Sequence, residues 1–267
     1  MNICMWMVIL NDEYYVEMAL KSVLPYVDYV YIQDQGCTDN SIDIIRETVG
    51  NQAELCIEEE HHGLGRFNKD YNEPHYRSLA LKRAEEVFNP VWLLQCDADD
   101  TFTPYFFNAV NHLNKIGKLG DFNCIRHASE RFITPDYRSQ SPHAKQVVGG
   151  INYYDPHTRL WRTGQGTKYV PNPTLTGNFH CVLKPEPHPT FWLPGICNIH
   201  IHRMFGPKAF IFWHEGEDEF EDTIPFNPKL QAPKWFNHDL NMGTAVYTPY
   251  EWPDYIKEKW DAWGVYE

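Results

Sequence analysis

The sequence contains no Cys-x-x-Cys pair, no block of Lys and Arg, and no apolar run long enough to cross a bilayer. Each absence removes a class of function. The seven cysteines, Cys4, Cys37, Cys56, Cys96, Cys124, Cys181 and Cys197, are odd in number and dispersed. They read as free thiols in a reducing compartment, and a cytoplasmic protein is expected. A formal net charge of -13 over 267 residues leaves no basic face for nucleic acid, so no such partner is expected. No His-Glu-x-x-His motif is present, which argues against that type of zinc enzyme. The first ten residues are apolar but lack a basic flank and a cleavage site, so they read as a first strand rather than a signal, and no integral membrane segment is expected.

What is present is an alternation of short apolar runs and amphipathic stretches. Strands are predicted over residues 3–10, 29–33 and 55–58, with helices near 13–23 and 41–49 between them. A polar loop over 58–75 and a helix near 76–87 lead to the run Val91-Trp92-Leu93-Leu94-Gln95-Cys96-Asp97-Ala98-Asp99-Asp100. This β-α-β-α-β order predicts a parallel sheet with helices on its faces. A helix over 104–113 follows, with Thr103 as N-cap and Pro104 at its first position. Beyond it only short strand-like pieces stand out, at 122–127, 158–161 and 209–213, and residues 130–150 read as a loop. The expected organisation is a domain over 1–230, divided near 115 into a ligand-binding half and an acceptor-side half. An aromatic-rich extension over 231–267, with a helix near 254–263, is free to pack back or to make a homo-oligomer contact.

In an open parallel sheet the ligand lies beyond the carboxyl ends of the strands. Three predicted exits carry acids there: 11–13, 34–39 and 97–100. If the strand continues through Asp99, alternation puts Asp97 and Asp99 on one side. Two carboxylates held that close repel unless a cation or a shared proton relieves them, and hard oxygen donors suit magnesium, manganese or calcium. Asp100 is assigned to the turn. His200 and His202, two residues apart, would likewise share a face, either as ligands or as histidines hydrogen-bonded within a mixed core.

Several segments, in order, resemble the signature of family 2 glycosyltransferases. They are Val8-Ile9-Leu10-Asn11-Asp12-Glu13, then Val30-Tyr31-Ile32-Gln33-Asp34-Gln35-Gly36-Cys37-Thr38-Asp39, then Arg77-Ser78-Leu79-Ala80, and Gln95-Cys96-Asp97-Ala98-Asp99-Asp100. The resemblance covers about residues 3–110. It implies an α/β, Rossmann-like GT-A fold, with a mostly parallel central sheet flanked by helices and an irregular α+β C-terminal part. It also implies an inverting, hexosyltransferase-type enzyme that uses Mn2+ or Mg2+, a nucleotide-sugar donor (a UDP-sugar first) and a glycan or other hydroxyl acceptor. Under it, Asn11, Asp34, Arg77 and Asp97 would bind the nucleotide, and Asp97 and Asp99 the metal, joined by His200 or His202. Asp34 would accept a hydrogen bond from base or ribose; its alternative is a turn-stabilising role. Arg77 would bind a donor phosphate or brace the aspartates.

Arg159-Leu160-Trp161-Arg162 resembles a further family element. The Val-His-Glu motif expected after it is represented by Phe179-His180-Cys181, without the glutamate. Glu215 and Asp218 are the substitutes for the catalytic base, and a solvated acidic loop is the alternative. Two other readings remain at this level. A sugar-phosphate nucleotidyltransferase would carry a Gly-rich basic loop after the first strand, where Asn11-Asp12-Glu13 stands. A non-catalytic glycan-binding protein would explain the missing glutamate but not the acid pair.

Overall fold

Alternation along the first strand sets the architecture. The computed structural model describes residues 1–61, 63, 71–134, 137–139, 145–154, 156–171, 181–201, 245–247 and 250–263. In β1 (Ile3–Ile9) every residue is buried. Ile3, Met5, Met7 and Ile9 enter one core, and Cys4, Trp6 and Val8 enter a second on the opposite face. Side chains two apart share a face of a strand, so such a run requires cover on both sides.

That cover comes from helices. β2 (Tyr29–Asp34), β3 (Glu54–Glu59) and β4 (Trp92–Gln95) join β1 in parallel, in the order β3-β2-β1-β4. On one face lie α1 (Val16–Val23), α2 (Ser41–Val49) and α4 (Pro104–Lys115), through Ala19, Val23, Ile45, Val49, Phe106 and Val110. On the other lies α3 (Glu73–Phe88), through Ala80, Leu81 and Ala84. Removing one such valine, leucine, isoleucine or phenylalanine side chain from water contributes roughly 1.5–3 kcal/mol. This is the α/β arrangement with a parallel core that the sequence pattern predicts.

The C-terminal half extends the same sheet with antiparallel strands. β10 (Pro156–Arg162) pairs with β4, β6 (Cys124–Thr134) with β10, then β7 (Tyr137–Ser139) and β14 (Ala245–Tyr247) complete that side. Off this path, β5 (Asp100–Phe102) pairs with β13 (Thr190–His200), which also runs beside β6. Two hairpins stand apart: β8 (Lys145–Val148) with β9 (Ile151–Tyr154), and β11 (Lys168–Pro171) with β12 (Cys181–Lys184). α5 (Asp254–Trp263) lies where a helix was expected. Among the described residues no helix is long and apolar enough to cross a membrane.

Three local expectations change. The first helix begins at Val16, because Asn11 takes a positive φ of 55°, the Asn11 and Glu13 side chains accept from Thr38 and Asn40 of the next loop, and the Asp12 carboxylate accepts from Leu10 N. The third helix begins at Glu73: Asn72 accepts from His75 N at 3.2 Å and Pro74 sits in the first turn, a start signal that the polar loop concealed. The described residues of 130–150 include strands where a loop was expected. β6 runs to Thr134 and returns through β7, and Gly149-Gly150, both at positive φ, turn β8 into β9.

Candidate functional site

The strand β4 stops at Gln95, and the acids after it belong to a turn. Asp100 N donates to Asp97 O at 2.9 Å, and the chain then re-enters a strand at Asp100. Strand alternation therefore does not set the directions of these three carboxylates.

Asp97 faces two guanidiniums. Its Oδ1 accepts from Arg77 NH1 at 2.7 Å and Gln95 Nε2 at 3.1 Å, and its Oδ2 from Arg159 NH1 at 2.9 Å. Burial raises its pKa, but Arg77 and Arg159 more than reverse this and hold the carboxyl well below the usual range. Arg77 divides its fork between Asp97 and Glu73, the latter at 2.5 Å one turn earlier in α3, and lies 5.9 Å over the ring of Tyr169. Tyr169 donates to Gln95 Oε1 at 2.8 Å, which orients the Gln95 amide toward Asp97.

Asp100 is fully buried, and Arg159 is 2 % exposed. Arg159 NH2 pairs with Asp100 Oδ2 at 2.9 Å, so one arginine bridges two of the aspartates. The other oxygen, Asp100 Oδ1, faces His200 Nδ1. Register makes this meeting: His200 and Asp100 are direct partners in the β5–β13 ladder. Donor atoms of Asp99, Asp100 and His200 all lie within 4.8 Å of one another. The His200 pKa is pushed down by burial and, in net, raised by the neighbouring carboxylates of Asp100 and Asp99. The ring of His157 stands 5.9 Å from that of His200, edge to face.

At the exits of β1 and β2 the loops are laced together. Asp34 Oδ1 accepts from Gly36 N at 3.0 Å and Cys37 N at 2.8 Å, the turn-stabilising geometry. Asn11 Oδ1 accepts from Thr38 N at 2.8 Å, Asp12 N donates to Ser41 Oγ at 2.8 Å, and Glu13 N donates to Asp39 Oδ2 at 3.1 Å. Asp34 also stands opposite Glu59 in the β2–β3 ladder, and donor atoms of Asp34, Glu59 and His61 lie within 4.8 Å of one another.

The structure thus brings Asp97, Asp99, Arg77 and His200 into one neighbourhood and places Asn11 and Asp34 at adjacent strand exits. His202, Glu215 and Asp218 lie outside the described residues. Two residues that sequence reasoning did not place in the site are Arg159, which joins Asp97 to Asp100, and Asp100 itself. The available signal for Arg159 was a charged residue alternating with Leu160 in a strand otherwise fit for burial.

No protein-family model matches the sequence, and no curated protein matches it. Among solved structures, residues 1–349 of TarS from S. aureus share 20% identity over 48% of this chain and 36% of that one, with a TM-score of 0.35. Glucosyl-3-phosphoglycerate synthase from Mycobacterium tuberculosis, in complex with Mn2+, UDP-glucose and phosphoglyceric acid, shares 17% identity over 49% of this chain and 44% of that one, with a TM-score of 0.34. The chain therefore spans less than half the length of either structure, and similarity of this extent does not assign it to a family.

Proposed function

We propose that the protein is a metal-dependent glycosyltransferase that moves a sugar from a nucleoside diphosphate donor, a UDP-sugar first, to an acceptor hydroxyl with inversion. The observation that carries the reading is the group Asp99, Asp100 and His200 at the carboxyl edge of a parallel sheet, beside an aspartate already neutralised by two arginines. The ordered sequence elements from Asn11 to Asp100 support the same reading.

The donor set fits a divalent ion. It offers two carboxylates and an imidazole, a set open to Mn2+ or Mg2+, and Asp100 Oδ1 is buried and faces His200 Nδ1. A cation held by Asp99, Asp100 and His200 would supply Lewis-acid stabilisation of the charge on a diphosphate leaving group. In this reading Asp97 is the anchor of the site and also faces the ribose, Arg77 and Arg159 hold it, and Asn11 and Asp34 line the nucleotide side. Glu215 or Asp218 takes the acceptor proton as general base.

Thermal unfolding with a panel of nucleoside diphosphates, with and without Mn2+, tests the proposal, followed by donor hydrolysis on any hit. The expected result is stabilisation by one nucleotide in the presence of metal, and loss of the metal-dependent part in Asp99→Asn. Absence of binding to every nucleotide, or turnover with a nucleoside triphosphate and a sugar phosphate instead, contradicts it.

A further inference from the structure

The proposed ligands lie on strands that branch from the main path of the sheet. Asp100 opens β5, three residues long, which pairs only with β13, and His200 is the last residue of β13. Asp99 is tied to the same unit, since its carbonyl accepts from Ile201 N at 2.9 Å. β13 is held by its pairing with β6 as far as His200, whereas β5, with three residues and among the described residues one partner strand, has little ladder of its own to fix it. Its backing decides where the donor atoms stand.

One side of that backing is α1: Phe102 N donates to Ser22 Oγ at 3.0 Å. The other comes from far along the chain. Trp252 (5 % exposed) and Ile256 (1 % exposed) form a closed apolar cluster with Ile199 and Ile201 on the β13 end, and with Tyr15 and Met18 near the start of α1. Trp252 and Ile256 also line one small cavity with Thr101, Phe102 and Thr103, the residues that follow Asp100. This cluster is separate from the two that stabilise the sheet. Its buried members come from the start of α1, the end of β13 and the segment that carries Trp252 and Ile256.

From this we propose that Trp252, seated with Ile256, is a positioning residue for the metal site: it holds β5 against β13 in the register that sets Asp100 opposite His200. The inference rests on the reading of Asp99, Asp100 and His200 as cation ligands, and is independent of which sugar or nucleotide is used. Residues that orient metal ligands affect affinity by roughly 10–100-fold when removed. Trp252→Ala is therefore expected to weaken Mn2+ binding about 10-fold or more, while Trp252→Phe, which restores a ring in the cluster, recovers most of it.

Electron paramagnetic resonance of free and bound Mn2+ on the full chain provides the test, with folding checked by near-UV circular dichroism. Ile45→Val, in the remote core beneath α2, serves as a control that lowers stability without touching β5. The expected pattern is weakened binding in Trp252→Ala, recovery in Trp252→Phe and unchanged binding in Ile45→Val. Should Trp252→Ala not fold, Ile256→Val reports on the same cluster with a smaller cavity, and its Mn2+ affinity is expected to fall at least 3-fold. Wild-type affinity in the folded cluster variants overturns the positioning role. Equal weakening in Ile45→Val overturns it too, by reducing it to general stability. If Asp99→Asn binds Mn2+ as wild type does, the metal-site reading itself fails, a distinguishable outcome.

Discussion

Replacing Arg159 by Met keeps most of the side-chain volume but deletes the cation that bridges Asp97 and Asp100. The two carboxylates do not lose equally. Asp97 retains Arg77 at 2.7 Å and Gln95 at 3.1 Å, and its side chain is 21% exposed, so water can reach it. Asp100 has no exposure, and its Oδ2 is the atom that Arg159 NH2 meets at 2.9 Å. Asp100 keeps His200 at Oδ1 and the Asp97 N–H at 3.4 Å on Oδ2 but loses its guanidinium, and removing one partner of a buried pair costs roughly 3–5 kcal/mol. With a urea slope of about 2–3 kcal/mol per molar for a chain of this size, the unfolding midpoint should fall by about 1–2 M. Saturating Mn2+ should return part of the loss, since an ion at 100 times its Kd stabilises by about 2.7 kcal/mol and lies beside the Asp100 carboxylate. A loss below about 1 kcal/mol, or a loss that Mn2+ deepens, would refute this account of the arginine.

Two further perturbations test other parts of the structure. His127 is fully buried between the rings of Phe102 and Phe106, with centroids 5.9 and 5.2 Å away, and burial lowers its pKa from 6.5 to about 3. Between those values the unfolded chain takes up a proton that the folded chain refuses, so stability falls as pH falls below 6.5 and is unaffected above it. At one pKa unit per 1.36 kcal/mol the loss at pH 5 is about 2 kcal/mol, and His127→Leu should flatten this part of a urea-midpoint profile; an unchanged profile argues against a buried neutral imidazole. Thr103 caps α4 by accepting from Phe106 N at 3.4 Å and also donates to Ile196 O at 2.7 Å. Thr103→Ala should cost about 1–2 kcal/mol in the same assay, and a neutral outcome would mean that the cap carries no weight.

How much of this was legible in the sequence depended on whether local pattern or distant pairing decides the structure. The continuous apolar run of 3–9 and the helical period of 41–49 are local, and both elements appear where expected. The turn at Asp97 to Asp100 defeated the strand-alternation argument, because Gln95 is the last residue of β4 and Asp100 begins a separate strand whose partner lies near residue 200. Nothing near Asp100 in sequence announces that partner. Arg159 shows the same limit: its place beside Asp97 follows from the antiparallel register of Leu160 with Leu94 across β10 and β4. Asp34 was legible both as a strand-exit carboxylate and as a turn acceptor, and its two backbone donors display the second of these roles. In the C-terminal half the strands pair at long range and carry polar residues, so neither periodicity nor turn chemistry fixed their bounds.

The central claim, that Asp99, Asp100 and His200 hold one divalent ion, is tested most directly by counting bound Mn2+ with electron paramagnetic resonance in the wild type, Asp99→Asn and Glu59→Gln. The account predicts a bound ion in the wild type that is lost in Asp99→Asn and kept in Glu59→Gln. An ion that survives Asp99→Asn and disappears in Glu59→Gln would contradict it, placing the metal instead at Asp34, Glu59 and His61, where β2 and β3 end.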